Sequence, residues 1–359
     1  MHAWGELTEH PHVAGLQTPL CRALGIDYPI LNVGFAESAG PELAAAVSNA
    51  GGGGVLGASG VPAHETLRRI ERVRKLTDRP FGVNIIIASL ERPGVSEEWR
   101  AEVRARVVGI IQDGVPFIVF FWGDPAPFVE EAHRYGVKVF IQVGSVEEAK
   151  SAAAAGVDAI ITQGFEAGGH VKAKESIWEV LPEAVKAVAP VPVLASGGIG
   201  NGAGIARALR LGAQGVSLGT RFVACEEAYI HQAYKDRVVR SRAEDTFYSA
   251  DLFDGGWPGA PHRVIKNKTF EEWDAAGRPP PGSRPGEGTI IGTLRYPWGE
   301  EEEWPRYAAG MIVPDFEGDL EYAPMWAGES VGDVKDVKPA GEVVRDLVRE
   351  AEAALAFSG

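Results

Sequence analysis

Cysteine is nearly absent. Cys21 and Cys225 are the only two in 359 residues, far apart and at no metal-ligand or CxxC spacing. A disulfide scaffold is thereby excluded, and a reducing, cytoplasmic setting is expected. Positive charge is also short, with 35 Lys and Arg against 49 Asp and Glu and a net charge of −14. Nucleic acid and anionic membranes both need clustered basic residues, so neither is an expected partner. No apolar run approaches the roughly 20 residues of a membrane span. The N-terminal MHAWGELTEH has neither a basic start nor an apolar core, so export is not expected.

Glycine, at 45 residues, is abundant. It follows strands and precedes helices instead of forming a low-complexity tract. Short apolar runs read as strands over Ile26–Val33, Gly54–Ala58, Phe81–Ile87, Val115–Trp122, Lys138–Val143, Ala159–Gln163, Val191–Ala195 and Gly215–Gly219. Helical spacing follows each in turn: Pro41–Ala50, Pro62–Leu76, Glu97–Ile111, Pro125–Tyr135, Val146–Ala155, Ile177–Val188, Gly202–Leu211 and Cys225–Tyr234. Ser145 with Glu148 makes a capping box for the fifth of these. Eight such units predict an α/β fold of the (β/α)8 TIM-barrel type, with active-site residues at the C-terminal strand ends. A doubly wound open sheet is the alternative.

Beyond residue 240 the composition changes. The stretch 251–324 is rich in proline and tryptophan and includes GRPPPGSRPGEG, which cannot stay helix or sheet for long. We read residues 1–240 and 335–359 as the barrel with a closing C-terminal helix, and 241–334 as an irregular cap that could also carry a homodimer contact. Glu300–Glu303 reads as a solvated acidic turn. The helix Glu342–Phe357 turns Val343, Leu347, Val348 and Leu355 inward. The tryptophans Trp257, Trp298, Trp304 and Trp326 could wall a pocket, though core packing suffices for most. His64 and His133 are assigned to the surface.

The central motif is AIITQGFEAGGH, Ala159 to His170. A buried strand runs into Gln163-Gly164 and stops at Gly168-Gly169 before a histidine. Glycines lacking Cβ let the backbone approach a flat ligand, and a histidine there can exchange protons with it. The bland reading is a closed loop with a solvated His170. After strand seven comes Ser196-Gly197-Gly198-Ile199-Gly200, and after strand eight Gly219-Thr220-Arg221. Glycine-rich loops opening helices bind phosphate, and barrels commonly bind it after strands seven and eight. Asn84, Gln142 and Gln163 are polar amides in otherwise apolar strands at the same end, which suits a heteroaromatic ring with several donors and acceptors. Arg221 pairs either with phosphate or with an acidic side chain. Glu166 reads as a residue that shapes its loop.

FGVN, Gln142, QGFEAGGHV, ASGGIG, LGAQGVSLGTRF and PMWAGES together resemble the nitronate monooxygenase family, FMN-dependent (β/α)8 barrels formerly called 2-nitropropane dioxygenases. The matching pieces run from about Pro29 to Leu355. The resemblance implies FMN as cofactor, its phosphate held by Ser196, Gly197, Gly198, Gly219 and Thr220. It implies flavin contacts from Asn84, Gln142 and Gln163, with Gly164 and Gly169 beside them, and His170 as the catalytic residue. Where members often have Ala-Pro-Met-Ala after the first strand, this chain has Asn32-Val33-Gly34-Phe35, and Val171-Lys172 follows the histidine.

The implied reaction is oxidation of alkyl nitronates, with O2, to a carbonyl compound and nitrite. For a neutral nitroalkane, His170 near its ordinary pKa of about 6.5 would act as base; for a nitronate it would supply a hydrogen bond or positive charge. The alternatives are an FMN oxidoreductase driven by NAD(P)H, related to enoyl-ACP or quinone reductases, and a protein that binds flavin without catalysis.

Overall fold

A computed structural model describes residues 16–356; the N-terminal stretch Met1–His10 and Phe357 lie outside the described residues. A helix not foreseen from the sequence, α1 (Pro19–Leu24), comes first, capped by Thr18 and ended at Gly25 with φ 71°. The alternation then runs β1 (Ile30–Asn32), α2 (Pro41–Asn49), β2 (Gly54–Gly57), α3 (Ala63–Leu76), β3 (Phe81–Ile86), α4 (Glu97–Asp113) and β4 (Phe117–Phe121). It continues with α5 (Ala126–Arg134), β5 (Lys138–Val143), α6 (Val146–Ala154), β6 (Ala159–Gln163), β7 (Gly169–His170), α7 (Ile177–Val188) and β8 (Val193–Ser196). α8 (Gly202–Arg210), β9 (Gly215–Leu218), α9 (Thr220–Val223) and α10 (Gln232–Arg240) complete it.

All of these strands except β7 form one parallel sheet of eight, in the order β1-β9-β8-β6-β5-β4-β3-β2. A bridge from Leu31 to Gly53 spans the remaining seam, so the sheet curls into the expected (β/α)8 barrel. The seam is short of backbone pairs, and a side chain makes up the deficit. Asn32 is completely buried. Its Nδ2 donates to the Val55 carbonyl at 2.8 Å, and its Oδ1 accepts from the Val55 N–H at 2.8 Å. The amide thus mimics a strand backbone where β1 meets β2. Inside the barrel α1 packs Leu20, Cys21 and Leu24 against Phe117, Phe140 and Leu194. Phe117 and Phe140 stack with ring centres 5.1 Å apart.

Two expectations change. The stretch 225–231 is not helical, because its backbone bonds elsewhere: Glu226 N–H to Lys338 O, Tyr229 N–H to Ser38 O and His231 N–H to Ile312 O. The helix begins only at Gln232. The segment after α10 is also more regular than its proline content predicts. It holds β10 (Thr246–Ser249), β11 (His262–Ile265), α11 (Lys268–Ala275), β12 (Ile290–Arg295), β13 (Glu301–Pro305) and β14 (Phe316–Gly318). Glu301 to Glu303 are exposed on β13 instead of forming a turn. The prolines cluster between α11 and β12, where no ladder hydrogen bond is lost. The last helix, α12 (Ala340–Ala356), buries Val343, Leu347 and Val348 as expected and packs along α8. Gly202 permits this, since a side chain there would collide with Glu350 and Ala351.

Removing the Asn32 amide leaves both Val55 backbone groups without those partners inside the barrel wall. Asn32→Ala is expected to cost about 2–4 kcal/mol of stability, read as a lower urea midpoint at an unchanged slope. An unaltered midpoint would show that the seam does not need it.

Candidate active site

The loop that leaves β6 does not stay a loop. β7 pairs antiparallel with β11, His170 opposite His262 and Gly169 opposite Arg263, in a small sheet ordered β10-β11-β7. Below it, Gln163 holds the same segment: its Nε2 donates to His170 O at 3.0 Å and its Oε1 accepts from Lys172 N–H at 2.9 Å. Glu166 shapes the loop, as expected. Its carboxylate caps α7, accepting from the Ser176 hydroxyl and from Ile177 N–H at 3.0 Å. Gly164 is explained by packing, because a side chain would strike Ile177. Gly168 likewise lies against the backbone of Ala327 and Gly328, part of the PMWAGES tail. Arg263 ties the layers together, donating to Phe165 O at 3.0 Å and pairing with Glu329 at 3.1 Å.

His170 stands in an aromatic box. Its ring centre lies 4.3 Å from Trp257, 5.5 Å from Trp326, 6.2 Å from Trp122 and 6.1 Å from His262. Nε2 is sealed from solvent and has no hydrogen-bond partner. Burial, helped by the neighbouring His262, pushes its pKa down to about 3. The expectation of an imidazole near its ordinary pKa of about 6.5 is therefore corrected: desolvation disfavours the imidazolium, and the ring is neutral at pH 7. His262, which sequence reasoning passed over, is fully satisfied. Its Nε2 accepts from Phe253 N–H at 3.0 Å and its Nδ1 lies 2.9 Å from Ala260 O. Trp257 and Trp326 stand beside His170, while Trp326 and Trp304 also belong to the buried core, as the core-packing reading expected. Trp122 was missed as well; its one signal was a tryptophan before glycine at the end of a strand.

At the ends of β8 and β9, Gly197 and Gly198 adopt φ 90° and 70°, and side chains there would press on Ala167 and Glu166. Among the described residues their N–H groups have no partner in the chain. The helix end beyond them is not free, contrary to expectation: Gly202 N–H goes to Glu350 at 2.9 Å and Gly204 N–H to the Asn201 cap at 2.9 Å. Donors for an anion come from the loop and not from α8. Thr220 Oγ1 accepts from Gly328 N–H at 3.0 Å, which leaves its hydroxyl proton to donate. Arg221 turns away and pairs with Asp336 at 3.0 Å. At Gly219 an added Cβ would meet only Val33, at 3.7 Å, and at Gly169 (φ 67°) nothing within 4 Å. Protein packing demands neither missing side chain.

The three amides do not act as one set. Asn84 and Gln142 line a small cavity on the barrel axis with Val33, Gly34 and Ser217. Asn84 Nδ2 donates to Val119 O at 3.0 Å. The Gln142 amide makes no hydrogen bond to the described residues, whereas Gln163 is used by its own loop. Asn32 serves the barrel seam, and Gly34 is pressed against Asn84. A larger cleft, about 430 Å³, lies elsewhere between α2, α3 and Trp298. Its charges are matched within it, as in Arg72 with Glu42 and Lys75 with Glu71, and of the residues singled out from the sequence it holds only Trp298. The candidate glycines and His170 lie instead at the C-terminal ends of the barrel strands.

The profile of the nitronate monooxygenase family matches residues 17–350. A probable nitronate monooxygenase from Staphylococcus aureus is 30% identical over 366 residues, covering 92% of this chain and 96% of the relative. A Mycobacterium tuberculosis protein, (3aS,4S,5R,7aS)-5-hydroxy-7a-methyl-1-oxo-octahydro-1H-indene-4-carboxyl-CoA dehydrogenase, is 32% identical over 265 residues, 73% of this chain and 70% of its own. Among solved structures, FabK from Thermotoga maritima aligns with TM-score 0.74 and 29% identity over 95% of this chain and 98% of its own. Nitroalkane oxidase from Streptomyces ansochromogenes aligns with TM-score 0.73 and 25% identity over 95% and 99%. With its barrel, its Gly-Gly-His strand and a family match over nearly its full length, the chain belongs to the nitronate monooxygenase family and is a flavin-dependent oxidoreductase.

Proposed function

We propose that the chain binds FMN and oxidises alkyl nitronates, with O2, to a carbonyl compound and nitrite. The observation that carries this reading is the neutral His170, whose Nε2 is buried and unpaired at the C-terminal end of the barrel. The residues fit the cofactor. Free N–H groups at Gly197 and Gly198, with Ser196, Gly219 and Thr220, would hold a phosphate. Asn84 and Gln142 would face the flavin ring, Gly169 would let it lie close, and Gln163 and Gly164 would hold the strand beside it. When bound, flavin supplies the electron acceptor and the route to O2. The chain's own residues bind, orient and dry the substrate, with residues 241–334 as a lid. Two unpaired cysteines suit a reducing compartment, and we place the enzyme in the cytoplasm.

A neutral imidazole that resists protonation is a weak base and a competent hydrogen-bond partner. It favours the preformed nitronate anion over the neutral nitroalkane, whose α-proton it would have to take. Its contact with the nitronate oxygens is dipolar rather than ionic. The second reading, an FMN oxidoreductase driven by NAD(P)H, draws support from the likeness to FabK, equal to that of the nitroalkane oxidase.

Under anaerobic conditions ethylnitronate is expected to bleach the flavin of the wild-type protein while NADPH leaves it oxidised; rapid bleaching by NADPH alone would establish the second reading instead. His170→Asn should retain flavin and lose about 10²-fold in kcat with nitronate; undiminished turnover would remove His170 from the reaction.

The pH dependence has a definite sign. The folded pKa lies below the ordinary value of about 6.5, so the unfolded chain takes up the proton first. The favourable balance is complete above 6.5 and is lost as pH falls from there toward about 3. The stability of wild type should therefore drop relative to His170→Asn across that window, and kcat/KM for preformed nitronate should show no step at 6.5. A step there would mean that the imidazole titrates normally.

Gly219→Ala separates cofactor from fold. Protein packing admits the methyl group, so thermal stability without flavin should be unchanged, while FMN affinity falls about tenfold or more. Unaltered FMN affinity would place the phosphate elsewhere.

A further inference from the structure

Trp122 follows β4 at the C-terminal end of the barrel. Its backbone is left-handed, at φ 48°. A bulky residue keeps such a conformation only where its surroundings impose it, and such residues cluster at ligand sites. Here the next residue, Gly123 at φ 124°, lies so close to Ile87 that a side chain would strike it. The turn points the indole at the aromatic box. Its ring centre is 6.2 Å from His170 at 72° and 4.8 Å from Trp257 at 76°. The Lys172 ammonium lies 6.0 Å from the same ring and is paired with Glu148.

The indole Nε1 is sealed and unpaired. Several buried polar atoms lack partners, but Trp122 Nε1 and His170 Nε2 belong to rings that touch each other. Native structures rarely leave one buried donor unsatisfied, and two neighbouring ones point to a missing acceptor. Indole is a donor only and does not titrate, so it offers the same N–H at any working pH.

We propose that Trp122 is a substrate-positioning residue whose indole N–H donates to one oxygen of the substrate's anionic O–N–O group while His170 serves the other. The inference rests on the reading above that the substrate's oxygens face His170. A ligand offering one carbonyl oxygen would leave one of the two nitrogens bare. Trp122 would thus select nitronates, nitroalkanes and carboxylates of like shape over thioesters and quinones.

The test uses the flavin-loaded protein labelled with ¹⁵N-tryptophan, and propionate as a non-reacting two-oxygen probe. The Trp122 indole resonance is the one missing from Trp122→Phe, which keeps the aromatic contacts and removes the N–H. It is expected to move downfield on propionate titration. Trp122→Phe should weaken propionate binding and raise KM for ethylnitronate by about 10- to 100-fold, with a much smaller change in kcat and the same flavin content. An indole resonance indifferent to saturating propionate would overturn the proposal, even if the variant folds poorly. So would a well-folded Trp122→Phe that binds propionate as tightly as wild type. A shift in the resonance without any nitronate turnover would sustain Trp122 as a two-oxygen donor and sink the proposed reaction.

Discussion

The two-residue pairing of Gly169–His170 with His262–Arg263 holds the site together. A segment crossing a barrel mouth would ordinarily satisfy its backbone with water. Here the cap strand supplies those hydrogen bonds from above and the Gln163 amide supplies them from below. His262 is locked by Phe253 and Ala260, so the partner strand is itself rigid. Once the backbone is clamped, the His170 ring has nowhere to go but among Trp122, Trp257 and Trp326. Its neutrality follows from that placement, since the surrounding rings desolvate the imidazolium and His262 adds to the effect.

The electrostatics of the site follow the same economy. The chain is strongly acidic, and three cations of this region are paired with acids: Arg221 with Asp336, Arg263 with Glu329 and Lys172 with Glu148. The end of α8 is occupied by Glu350 and Asn201. An anionic group at the Gly197-Gly198 loop therefore meets neutral N–H dipoles and not free cations. Such donors are fixed by the backbone and need no reordering when a ligand arrives.

Much of this was legible in the residues. The eight apolar runs are strands because a parallel sheet covered on both faces needs no polar alternation. The glycines at 168, 169, 197, 198 and 219 stood out in the sequence because they fall at strand ends next to polar residues. Family membership could be read from QGFEAGGH with SGGIG and GTRF at their spacing. Local pattern suffices for such features, since each depends on a few neighbouring residues.

The rest was decided by contacts across long stretches of chain. Asn32 looked like a departure near the ligand and turned out to close the barrel seam, because β1 and β2 lack backbone pairs there. Gln163 looked like its fellow amides and was drawn to residues 170–172 instead. The cap looked irregular, yet a strand from it converted the glycine loop into sheet. Trp257 and Trp326 reach His170 from positions 87 and 156 residues further along the chain. The sequence by itself determined the barrel and the family, since both rest on short local patterns. Tertiary structure alone decided the proton state of His170 and the partners of each amide, because desolvation and hydrogen bonding depend on which distant residues fold over the site.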